Sequence, residues 1–118
     1  MINEQWVLSE IRRTLQVLAS PAEDQLSYVQ SLGPVGNDEM ALEFDDVAPA
    51  ALSLRGSEYI TDQQAAGIEE VNKQLRTMSG RENAELWTDD AVRIAPEWAR
   101  LRELAATALS QLDEQNVS

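Results

Sequence analysis

Five carboxylates fall within nine residues, at Asp38, Glu39, Glu43, Asp45 and Asp46. Glu39, Glu43 and Asp46 are spaced i, i+4 and i+7, so a helix presents all three on one face. Two chemistries are open to such a row. Carboxylates converging from two helices can hold Mg²⁺, which demands oxygen ligands in near-octahedral geometry. Carboxylates spread along a single helix make an anionic surface whose members accept bidentate bonds from a partner's arginines. The first requires a second pair of acids one turn apart on a neighbouring helix. Glu23-Asp24 and Glu69-Glu70 are adjacent pairs and lack that spacing.

The rest of the 118-residue chain offers little else that reacts. It contains no His and no Cys. Ser-His-Asp and Cys-His catalysis, disulfides and zinc-thiolate sites are therefore excluded. Gly33, Gly36, Gly56 and Gly80 stand singly and read as stops and turns, not as a phosphate-cradling loop. Asp45-Asp46 lacks the further acids and the glycine of a calcium-binding loop. The chain is thus read as a non-enzyme that needs no cofactor and no metal.

Charge sharpens this. There are 21 acidic and 9 basic residues, a net charge of −12. Residues 14–72 hold eleven acids against Arg55 alone, while the flanking segments are nearly balanced. A surface of this sign repels nucleic-acid backbones and steers cationic partners toward itself. Arg93, Arg100 and Arg102 are expected to pair with this acidic block or with nearby Glu97 and Glu103.

The elements that must position these groups read as helices almost throughout. Leu8, Ile11, Leu15 and Leu18 step by three and four, which predicts a helix over 4–18 capped by Asn3. Ser20-Pro21-Ala22-Glu23 has the form of a capping box and opens a helix over 21–32, stopped by Gly33 and Pro34. Met40, Leu42 and Phe44 alternate as a strand would, yet Met40, Phe44 and Val47 step as a helix. Acids suit a first turn and no partner strand exists, so a helix is predicted over 38–54, bent near Pro49. Thr61 to Gln64 form a second capping box ahead of the stripe Ile68, Val71, Leu75 and Met78, a helix over 62–78. Thr88 caps a short turn at 89–93. Ala95-Pro96-Glu97 opens a final helix over 96–113, with Glu114–Ser118 fraying.

These elements predict an all-α fold: one domain spanning 1–118, a compact bundle of about five helices, orthogonal or up-and-down. A chain of 13.1 kDa exposes roughly 6,400 Å² when folded, enough burial for a real core. No apolar run is long enough to span a membrane. No secretory signal is evident at the N-terminus, so a cytoplasmic protein is expected.

Three of the six aromatic residues are tryptophans. Trp98 heads the apolar face of the last helix and is expected in the core, and Trp6 at the core or its edge. Trp87 lies between helices. It either lids the core beside a helix start or anchors an interface.

The stretch Met78–Trp98 resembles the C-terminal half of small uncharacterised bacterial proteins, and Asp38–Asp46 resembles their acidic central segment. In overall style the chain is similar to the small acidic helical immunity proteins of bacterial toxin systems. That resemblance covers about half the chain and brings no motif with assigned chemistry. Glu43-x-x-Asp46 also resembles half of the acidic signature of all-α nucleotide pyrophosphohydrolases, but the preceding helix lacks the matching Glu-x-x-Glu.

The expected function is therefore an acidic protein-binding module acting by occlusion. The resemblance implies an immunity or inhibitor protein facing a basic toxin domain. Asp38, Glu39, Glu43, Asp45, Asp46 and Trp87 are its candidate contact residues. The alternatives are a structural or regulatory helical subunit that pairs with itself or another subunit, and a Mg²⁺-dependent hydrolase.

Overall fold

The computed structural model of the chain describes residues 3–115. Within them lie six α-helices and one 3-10 helix. They are α1 (Glu4–Ala19), α2 (Ala22–Ser31), α3 (Glu39–Ser53), α4 (Asp62–Thr77), the 3-10 segment Arg81–Trp87, α5 (Asp89–Ile94) and α6 (Pro96–Gln115). The expected turn at 89–93 is a short helix of its own, and the connection before it is wound as 3-10, so the count exceeds five. Helix α6 runs on to Gln115, two residues past the expected end at 113, and the rest of the expected fraying, at 116–118, lies outside the described residues.

Local signals explain most boundaries. Asn3 caps α1, its side chain accepting from the amides of Gln5 and Trp6. Thr61 and Gln64 close a reciprocal capping box on α4. The Thr88 hydroxyl accepts from Ala91 N and starts α5. Gly33 leaves α2 at φ 105°, a left-handed conformation that glycine adopts without strain. The helix over the acidic run is confirmed, with Pro49 inside α3.

One cap differs. Ser20 does not cap α2: its hydroxyl donates back to Gln16 O at 2.6 Å. Glu23 is drawn across to Arg93 at 2.6 Å. Pro21 takes the cap position with no side-chain bond. A longer-range ion pair thus claims the acid that a capping box would use.

Helices α1, α3, α4 and α6 form a closed ring in which each packs on two neighbours. Arg12 of α1 pairs with Asp113 near the end of α6. Gln25, seated on Val17 and Leu18 at the other end of α1, meets Arg102 near the start of α6. These two helices are therefore antiparallel. Gln74 of α4 donates to Glu97 O, while Gly67 lies against Ala108, so α4 and α6 are antiparallel too. The ring is an up-and-down four-helix bundle. Helices α2 and α5 and the 3-10 segment close the end where α3 begins, α2 packing on α5 and α5 on α6.

The core is one cluster. Val7, Ile11, Leu15, Phe44, Ile68, Val71, Trp98, Leu101 and Ala105 within it have no exposed surface. Total accessible surface is 6840 Å², close to the value expected from mass alone. No helix among the described residues is long and apolar enough to cross a membrane.

Candidate functional site

Helix α3 buries Met40, Phe44, Val47, Ala48 and Ala51. That stripe fixes where every other side chain of the helix points. The acids do not share one fate.

Glu43 turns toward α1. Its Oε1 accepts from the Tyr28 hydroxyl at 2.5 Å and lies 3.6 Å from Arg13 Nη1. Arg13 also donates to the Tyr28 oxygen at 2.9 Å and to Glu10 at 3.0 Å. The hydrogen bonds it donates to Glu10 raise the Arg13 pKa above its ordinary value. Desolvation, then the bond to Glu43, raises that of Tyr28. This cluster ties α1, α2 and α3 together.

Asp38, Asp45 and Asp46 are exposed and Glu39 is half-buried. Among the described residues, no basic side chain lies within 4.0 Å of any of the four. They surround Leu42, from which they stand three or four residues away, the spacing of helical neighbours. Leu42 is 50% exposed. Asp45 and Leu42 also border a groove of about 340 Å³ between α3 and α4, walled by Ala41, Leu75 and Arg76. The outcome is an apolar side chain ringed by unneutralised carboxylates. Sequence reasoning missed Leu42 because it was weighed only as part of an alternating pattern. The signal was its position off the Met40, Phe44, Val47 stripe.

Elsewhere in the 14–72 block Glu23, Asp62, Glu69 and Glu70 pair with bases, while Asp24 and Glu58 have none within 4.0 Å among the described residues. Arg55 bridges Asp62 and Glu69 at 3.1 and 3.0 Å. Arg93 binds Glu23, and Arg100 approaches Glu103 at 3.6 Å. Arg102 departs from expectation. Among the described residues it meets no acid and donates instead to Gln25 Oε1 and Val92 O. Burial lowers its pKa, and neutral acceptors satisfy it because α6 turns it inward among helix ends.

Trp87 is half-buried at the end of the 3-10 segment. Its indole N–H donates to Met78 O at 2.9 Å. Its ring meets Trp98 edge-on, with centroids 5.4 Å apart and planes at 81°. Trp98 is fully buried and donates to Leu86 O. Trp6 is at the edge, 55% exposed. Asn37, which the sequence did not single out, is 6% exposed. Its side-chain amide donates to Trp87 O at 3.0 Å and to Asp89 Oδ1 at 2.9 Å. It thereby links the loop before α3 to the Trp87 turn.

No three acidic side chains among the described residues come together as a cation site. Glu39 and Asp46 share a face as their spacing required, but Glu43 beside them is engaged by Tyr28 and Arg13. No family model, curated protein or solved structure matches this chain.

Proposed function

We propose that the protein is an acidic binding module that acts by covering a cationic partner, in its sharpest form an immunity or inhibitor protein for a basic toxin domain. The observation that carries this reading is the outer face of α3. Four carboxylates with no basic side chain within 4.0 Å among the described residues surround a half-exposed Leu42. Elsewhere six of the nine bases, Arg12, Arg13, Arg55, Lys73, Arg93 and Arg100, pair with the chain's own acids. Leaving these four unpaired costs stability through mutual repulsion, and a cationic partner relieves that cost. An apolar centre inside a charged rim is also the usual layout of a protein interface.

The test is to ask whether a basic protein is encoded beside this chain in its genome and to measure its association by surface plasmon resonance. Association should be fast at about 20 mM salt and much slower at about 150 mM, where the Debye length falls to roughly 8 Å. Replacing Asp45 and Asp46 with Lys should slow association at low salt. The paired control, Glu70→Lys with Glu103→Lys, should do much less. Equal association rates for the wild type and the Asp45/Asp46 reversal would remove the α3 face from the interface.

A further inference from the structure

At the end of the bundle where α3 begins, a cleft of about 270 Å³ opens between α2 and the Trp87 turn. Leu26, Val29, Val35 and Trp87 give it apolar walls, and Asn37 and Asp89 its polar end. Asn37 is nearly buried, and its amide orientation is fixed. The nitrogen is held by two acceptors, Trp87 O and Asp89 Oδ1, so the oxygen must occupy the opposite position. Among the described residues no donor reaches that oxygen. The nearly buried Asn37, which lines the cleft, thus keeps an acceptor with no protein donor, available to a donor arriving from outside. Asp89, which accepts from Asn37 through Oδ1 alone, adds an exposed carboxylate at the same end. The nearest basic residue along α5, Arg93, is held by Glu23 at 2.6 Å. Asp38 follows Asn37 directly, so the cleft adjoins the acidic outer face of α3.

We propose that this cleft receives an arginine side chain of the partner. The walls match the methylene stem. The planar guanidinium supplies several donors in a fixed fork, enough for Asn37 Oδ1 and the Asp89 carboxylate together. Lysine would offer a compact, strongly hydrated charge and fit the same end less well. The identity of the occupant rests on the reading of the protein as a binder of cationic partners. The cleft's preference for a guanidinium can be measured without that partner.

The experiment is a ¹H–¹⁵N NMR titration of the intact chain with N-acetyl-arginine methylamide, with the lysine and norleucine analogues as comparisons. The arginine probe should shift the Asn37 side-chain amide, the Trp87 indole N–H and the Gly36 amide saturably, with Kd on the order of 1 mM for so small a ligand. The lysine analogue should bind more weakly, and norleucine should leave these signals unmoved. Asp89→Asn keeps an acceptor for Asn37 and removes only the charge. It should weaken the arginine probe about fivefold, the scale of an exposed ion pair, with the Trp87 indole signal of the free protein unchanged. Asp90→Asn, one residue away and outside the cleft, should leave the affinity within about twofold. Equal loss in both variants would show a diffuse field in place of a site and overturn the proposal. So would arginine shifts confined to the Asp45–Asp46 region, which would leave the α3 reading standing while removing the cleft. If instead the α3 reversal does not alter association but the cleft responds, the covering surface is wrong and the arginine pocket stands.

Discussion

The Tyr28 hydroxyl donates to Glu43 Oε1 across 2.5 Å while its oxygen accepts from Arg13 Nη1 at 2.9 Å. One acid of the Asp38–Asp46 run is thereby taken out of the surface and built into the junction of α1, α2 and α3. The phenol must stay protonated to do this. Its pKa is raised, chiefly by desolvation and next by Glu43. For a group whose neutral form is favoured by folding, the stabilisation is fully present below the unfolded pKa of about 10 and is lost as pH rises through the higher folded value. Urea denaturation from pH 8 to 11.5 should therefore show a fall in stability beginning above about pH 10. Tyr28→Phe should be less stable than the wild type at pH 8 by about 1 kcal/mol, with the difference shrinking at the alkaline end.

Charge reversal of Asp45 and Asp46 touches exposed side chains with no basic partner among the described residues. The fold should survive it, with helical circular dichroism unchanged and stability altered by less than about 0.5 kcal/mol per site. Relief of repulsion predicts that any change is stabilising at low salt. A marked loss of stability would mean that these acids hold the fold together.

Gly67 lies where α4 packs against Ala108 of α6. A Cβ there would meet Ala108 Cα and Cβ at 3.3 Å and Gln111 Oε1 at 2.5 Å. In an open helix Gly→Ala gains about 1 kcal/mol. Here overpacking costs about 1–3 kcal/mol. Gly67→Ala should come out destabilised by on the order of 1 kcal/mol, seen as a Tm lowered by roughly 4 °C. A stabilised variant would mean that α6 yields easily at this contact.

Asn37→Ala removes both bonds that tie the loop before α3 to Trp87 and Asp89. Trp87 O, within a half-buried turn, loses that donor. The expected cost is about 1–3 kcal/mol, with a change in the near-ultraviolet dichroism of the coupled Trp87–Trp98 pair. An unaltered aromatic spectrum would show that Met78 alone positions Trp87.

Titration with Mg²⁺ should reveal no site tighter than about 0.1 mM, because oxygen ligands must converge to displace its waters and Glu43 is already bonded. A stoichiometric micromolar site abolished by Glu43→Gln would restore the hydrolase reading.

The helices are legible from local sequence. Their apolar periodicity, the caps at Asn3, Thr61 and Thr88, and the stop at Gly33 are interactions among residues at most four apart, and such interactions act in almost any context. The sequence also determined which chemistries are absent, since no fold supplies a missing His or Cys. The tertiary structure decided which acids remain available. Glu23 left a capping box for Arg93, 70 residues away. Glu43 was engaged by Tyr28 and Arg13, while Asp45, two residues further along the same helix, has no basic side chain within 4.0 Å among the described residues. The ring order of α1, α3, α4 and α6 likewise carried Asn37 to Trp87, across 50 positions. Charge and hydrogen-bond partners are settled by which helix faces meet. Periodicity says that a face is buried and leaves open what it is buried against.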